Sequence, residues 1–249
     1  MRKNSLLWNE IGEKASTFRG QNGYGSTDPI QLNSFLLKAN IITLFKPLSE
    51  KFGGMAIKAA GDFNFILVNQ NHSLGKQHFT IGHEIYHLFC QENFTSQKCN
   101  TGLFDKQEDP EEKKADFFSA CLLMPENGII QLIPDLEKKN RNQISTETLF
   151  RIQQYYGLSV NAVIYRLCEL EYVDKSYYDK FRTGKISTAL KLGYDEHLYR
   201  PGNADKVIGD YAMRVDKLYQ DEIISESHYL ELLNAISLDP LAPVENDTE

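Results

Sequence analysis

Leu7, Ile11, Ala15 and Phe18 recur at helical spacing, which predicts an amphipathic helix over residues 5–18. Gly20 to Thr27 reads as a loop, and Asp28-Pro29 then offers a cap and a first-position proline for a helix to about Ala39. The apolar run Ile41-Ile42-Thr43-Leu44-Phe45 predicts a short buried strand ended by Lys46-Pro47. Met55 to Ala59 and Phe63 to Asn69 flank a turn at Gly61-Asp62, the pattern of a hairpin and hence of a small antiparallel sheet. A long helix from about Lys76 to Gln91 follows, and the polar stretch Glu92 to Gly102 reads as a surface loop. Asp109-Pro110-Glu111-Glu112 opens another helix, with an acidic cap, proline at the first position and carboxylates in the first turn. Pro125 ends it.

Beyond Pro134 the pattern is helical. One helix is expected over Ser145–Tyr156, broken by Gly157. A second, capped by Ser159, carries Val160, Val163, Ile164 and Leu167 as its stripe. Further helices are expected at Asp174–Arg182, Asp205–Tyr219 and Ser225–Ile236, with irregular chain from Gly184 to Asn203. Residues 239–249 form an acidic tail expected to be disordered. The fold class is α+β and mostly helical. Residues 1–135 hold the sheet and the chemistry, and 136–238 form a helical extension.

Composition narrows the function. A net charge of −7 over 249 residues argues against a nucleic-acid coat and against attachment to an anionic membrane. No apolar run approaches the roughly 20 residues that span a bilayer. The first ten residues lack the apolar segment of about 7–15 that a secretory leader needs. Cys90, Cys99, Cys121 and Cys168 form no C-x-x-C pair, so free thiols in a cytoplasmic protein are expected.

The chemistry concentrates in His83-Glu84-Ile85-Tyr86-His87. On a helix, residues four apart lie about 40° apart around the axis, so both imidazoles can address one metal ion. Glu84 stands about 100° round from His83, poorly placed as a ligand and well placed to reach a water on the metal. A zinc site needs a third protein ligand and an open position. Glu112 is the best candidate, although an acid three residues after Asp109 is also a capping box. Asp116 lies one turn further along the same face, where its carboxylate can hold a histidine ring from behind. Glu111 competes with Glu112 but points about 100° away. Cys90, about 60° back from His87 on the helix, is a weaker ligand candidate and reads better as a buried thiol.

Phe79-Thr80-Ile81-Gly82-His83-Glu84-Ile85-Tyr86-His87, Glu112-Lys113-Lys114-Ala115-Asp116-Phe117-Phe118 and Leu122-Leu123-Met124-Pro125 together resemble the ImmA/IrrE family of zinc metalloendopeptidases. Phe45 to Ser49 and Gly53-Gly54 resemble that family's upstream part, so the likeness covers roughly residues 30–130. It implies a zincin-like peptidase domain, zinc on His83, His87 and Glu112, and Glu84 as general base. It also implies cleavage of a specific protein partner, a DNA-binding repressor or antitoxin-like regulator, often linked to a mobile element or stress response. Two positions depart from the family pattern: Gly82 stands for the usual alanine and Tyr86 for the usual glycine. An oxyanion donor among His78, Tyr155, Tyr156 and His197 is left unassigned. The Tyr156-Gly157-Leu158-Ser159 break has helix-turn-helix flavour, but Ser159 to Leu170 holds Arg166 as its one base, against Glu169, so direct DNA binding is not expected. A second class of reading remains: a non-catalytic binding module or toxin–antitoxin component whose zinc is structural or idle.

Overall fold

The computed structural model describes residues 5–59, 63–92, 94, 96–100 and 109–236. The acidic tail predicted at 239–249 lies outside them. In chain order the elements are α1 (Ser5–Gln21), α2 (Leu32–Lys38), β1 (Ile41–Lys46), β2 (Phe52–Ala59), β3 (Phe63–Asn69), α3 (Leu74–Phe89), β4 (Ser96–Asn100), α4 (Pro110–Leu123), α5 (Glu126–Leu132) and α6 (Asp135–Lys138). They continue with α7 (Thr146–Tyr156), α8 (Val160–Glu169), α9 (Ser176–Lys180), α10 (Lys185–Lys191), β5 (Val207–Ile208), α11 (Tyr211–Gln220) and α12 (Glu226–Asn234). The architecture is α+β and mostly helical.

The sheet differs from the small antiparallel one expected. It has five strands in the order β4-β2-β3-β1-β5 and is mixed. The β2–β3 hairpin is antiparallel, with Met55 opposite Leu67, but β1 runs parallel to β3, with Leu44 opposite Leu67. β4 replaces part of the expected loop at 92–102 and pairs antiparallel with β2. β5 closes the other side by pairing Thr43 with Ile208.

Alternation along β3 gives the sheet two covered faces. Ile66 and Val68 point into the main core, whereas Phe65 and Leu67 pack on a smaller cluster of Leu44, Val215, Leu233 and Ile236 from β1, α11 and α12. On the main-core side α3 lies against β2 and β3, α4 lies against α3, and α1 lies against α4. Nearly every residue of α3 is buried, as expected of a helix enclosed between a sheet and another helix. The core runs across residue 135 without a break, since Leu149, Phe150, Val163 and Ile164 belong to the same cluster as Ile81 and Phe118.

Local chemistry sets the element ends. Asp109 caps α4 by accepting from Glu111 N, with Pro110 at the first helical position. Ser145 and Ser159 cap α7 and α8, and Gly157, at φ +65°, ends α7 in the left-handed conformation. The expected start at Asp28-Pro29 is not used: α2 begins at Leu32 after Gln31, and the Asp28 carbonyl instead accepts a bond from the buried Arg19. The stretch expected to be irregular, Gly184 to Asn203, contains α10 and a 3₁₀ turn at His197–Tyr199.

Candidate metal centre

α3 and α4 touch closely because Gly82 lacks a side chain. A Cβ there would stand 2.5 Å from Ser119 Oγ and 2.8 Å from Leu123 Cδ1. Ser119 uses the approach to donate a 2.8 Å hydrogen bond to the Phe79 carbonyl. This contact sets the distance at which the carboxylates of α4 meet the imidazoles of α3.

His83, His87 and Glu112 converge, all buried, with one ligand atom from each lying within 4.8 Å of the others. The two Nε2 atoms are 3.1 Å apart, Glu112 Oε2 is 3.2 Å from His83 Nε2, and Glu112 Oε1 is 3.5 Å from His87 Nε2. Donors held 2.0–2.1 Å from a tetrahedral ion stand about 3.4 Å from one another. The three edges match that figure, and the donor types suit zinc.

Each imidazole is held from behind. His83 Nδ1 lies 2.8 Å from Asp116 Oδ1, and His87 Nδ1 bonds Gln91 Oε1. Nδ1–H donates in both cases, which leaves Nε2 with its lone pair facing Glu112. Burial, with the neighbouring His83 adding to it, pushes the His87 pKa down and favours the neutral ring that a metal needs. Phe94 stacks on His87 at 5.4 Å between centroids.

The competing residues go elsewhere. Glu111 accepts from Tyr86 Oη at 2.8 Å and from Lys114 Nζ at 2.6 Å. Cys90 is not in the converging group, and burial pushes its thiol up to about 11. His78 Nδ1 donates to the Gly157 carbonyl at 2.7 Å and Tyr156 Oη to the Thr27 carbonyl at 2.9 Å, so both are engaged in holding the fold. Tyr155 is largely exposed. Arg166, the one base of α8, is only 5% exposed and packs inward.

Glu84 is fully buried on α3. β2 approaches it through Gly54, where a Cβ would meet Thr80 Cγ2 at 2.6 Å, the Leu67 carbonyl at 2.9 Å and Glu84 Oε1 at 3.0 Å. A bare backbone at Gly54 is therefore what leaves room for the carboxylate. Spacing alone gave no reason to single out Gly54 or Gln91. Gln91 stands four residues after His87, so the helical period was the available signal, but an amide at a helix end has many ordinary uses.

Residues 39–168, just over half of the chain, match the family model Peptidase M78, described as the IrrE N-terminal-like domain. The chain belongs to this family. M78 members are metallopeptidases, and the matched span contains His83, Glu84, His87, Gln91, Glu112, Asp116 and Gly54. No curated protein matches the chain. Among the described residues no helix is long and apolar enough to cross a membrane. In this M78 member the buried His83-His87-Glu112 group could hold a metal ion.

Proposed function

We propose that the chain is a zinc-dependent endopeptidase that cuts a specific regulatory protein partner. The observation that carries this reading is the convergence of His83, His87 and Glu112 with Asp116 behind His83. Zinc, when bound, supplies Lewis acidity, polarising a carbonyl and lowering the pKa of a water from 15.7 to about 7.

The chain's own residues do the rest. His83 and His87 offer Nε2, fixed in tautomer by Asp116 and Gln91, and Glu112 offers its carboxylate. Glu84 takes the proton of the attacking water on a carboxylate oxygen and returns it to the departing amide nitrogen. The water oxygen bonds to the carbonyl carbon as the C–N bond breaks. β4 is the edge of the sheet, next to the strand that carries Gly54, so an extended peptide could add there by backbone hydrogen bonds. That mode suits a partner presenting an unfolded or loop segment. A DNA-binding repressor or antitoxin-like regulator, encoded on a mobile element or in a stress response, fits the family resemblance and the lack of an exposed basic face on α8.

Metal analysis of purified protein beside a His87→Ala variant tests the site, with one zinc per chain expected in the parent and little in the variant. Glu84→Gln should keep the metal, lose cleavage and so trap the partner for identification. Undiminished cleavage by Glu84→Gln would remove the mechanism.

A further inference from the structure

Behind α4, on the side of Phe117 and Cys121, lies a half-open cavity of about 960 Å³ walled also by α1 and α8. Its volume is at the upper end of the range for small-molecule sites. Two arginines line it while being almost wholly buried, Arg19 at 2% and Arg166 at 5% exposure. They differ in how their donors are used. Arg19 gives four of its five donors to carbonyls, with Nε and Nη2 on Gly25, Nη1 on Leu122 and Nη2 also on Asp28. Arg166 gives Nε to the Met124 carbonyl at 3.1 Å and touches the Cys121 thiol. It forms no ion pair with any described residue.

A guanidinium carries five N–H donors, of which the Met124 carbonyl and the Cys121 thiol engage two, and the Arg166 guanidinium lies 6.0 Å from the centroid of Phe117, a wall of the cavity. A buried cation without a counter-charge is destabilising, and an anion in the cavity would reverse that cost. The walls beside it are aromatic: Trp8 and Phe117 are in contact at 4.8 Å between centroids, and Tyr165 joins them. Arg141 and Lys175 also line the cavity, as do five carboxylates, the exposed Glu13, Glu126, Glu169 and Glu171 and the half-buried Asp174. The carboxylates repel a polyanion and leave the buried positive charge for a compact one.

We propose that this cavity binds a small amphipathic monoanion, its carboxylate or sulfonate on Arg166 and its apolar body against Trp8, Phe117 and Tyr165. The site is separate from the metal centre, although both use α4.

The probe is 8-anilinonaphthalene-1-sulfonate, compared with neutral N-phenyl-1-naphthylamine, titrated by fluorescence into the full chain. Saturable one-to-one binding of the sulfonate is expected, at least about tenfold tighter than the neutral analogue. Gly12 lines the cavity, and the nearest atom to a Cβ built there is Phe117 Cε1 at 4.0 Å, so Gly12→Leu should fill the space without breaking the fold. That variant should weaken sulfonate binding at least about tenfold while unfolding as cooperatively as the parent. Arg166→Met should remove the preference for the sulfonate over the neutral compound. If Arg166→Met does not fold, the two probes and Gly12→Leu still decide. Equal affinity for both probes, unchanged binding in folded Gly12→Leu, or no saturable binding would each overturn the proposal.

Discussion

The Tyr86 hydroxyl donates a 2.8 Å hydrogen bond to Glu111 Oε2, joining the third residue after His83 to the residue before Glu112. The bond occupies the carboxylate that could have competed with Glu112, and Lys114 holds its other oxygen. Burial pushes the Tyr86 phenol well up, and the bond to Glu111 adds to the shift, so the hydroxyl stays a donor. The ring, 2% exposed, packs on Phe118 at 5.6 Å between centroids. Tyr86 is thus a tie between α3 and the first turn of α4.

Tyr86→Phe keeps the ring and loses the tie, with an expected loss of about 1–2 kcal/mol in stability. Tyr86→Gly, the family's usual residue, also empties a buried space and should cost roughly 3–5 kcal/mol. Urea unfolding of both variants measures this. A Phe variant as stable as the parent would mean that the Tyr86–Glu111 bond contributes nothing.

Gly54→Ala should damage catalysis more than metal binding. The added methyl would press on Glu84 Oε1 from 3.0 Å and on the Leu67 carbonyl from 2.9 Å. Displacing a reacting group by about 1 Å costs on the order of 100-fold in rate. The overpacking should cost about 1–3 kcal/mol in stability. Cleavage kinetics and zinc content on the same preparation separate the two effects, and full activity in Gly54→Ala would contradict the role given to that contact.

Asp116→Ala leaves His83 Nδ1 without its carboxylate acceptor, and Gln91→Ala does the same for the amide behind His87. Zinc affinity should fall about 10–100-fold in each. Competition with a chelator of known affinity reads the change directly. An unaltered affinity in both variants would show that ring orientation is fixed by packing alone.

The cysteines provide a pH test away from the His83-His87-Glu112 group. Burial, with Glu169 adding to it, pushes the Cys168 thiol up to about 11 from an ordinary 9.0. Because the folded value is raised, the neutral thiol is the favoured form. Its contribution to stability is present below pH 9 and is lost as pH rises toward 11. Iodoacetamide labelling of the Cys168 peptide, followed by mass spectrometry, should therefore climb about tenfold per pH unit from 8 to 10. A plateau at pH 9 would show an ordinary thiol.

The metal group was legible because it depends on one period. His83 and His87 share a face four residues apart, and Glu112 and Asp116 share another, so two helices and a contact suffice. The contact itself was not marked by spacing. The close approach of the two helices lies one turn before Tyr86, where Gly82 meets Ser119. The two departures from the family pattern are thus linked: the smaller residue at 82 admits α4, and the larger one at 86 reaches Glu111.

The sheet was harder to read. The β2–β3 pair is local, and the two apolar runs marked it; the turn expected at Gly61-Asp62 lies outside the described residues. β4 is polar along Ser96–Asn100 and becomes a strand through pairing with β2. β5 has two residues whose partners are Thr43 and Leu44 at the other end of the chain, beyond the reach of any local pattern. Asp28-Pro29 shows the opposite failure: its local signal was good, and a buried arginine took the Asp28 carbonyl.

The pairing of Thr43 with Ile208 also orders events in time. During synthesis at 5–20 residues per second, roughly 5–20 s separate the emergence of Glu112 from that of Ile208. His83, His87 and Glu112, the group that could hold a metal ion, are available through that interval while one flank of β1 still lacks its neighbour. A nascent chain could therefore bring this group together before its sheet is closed.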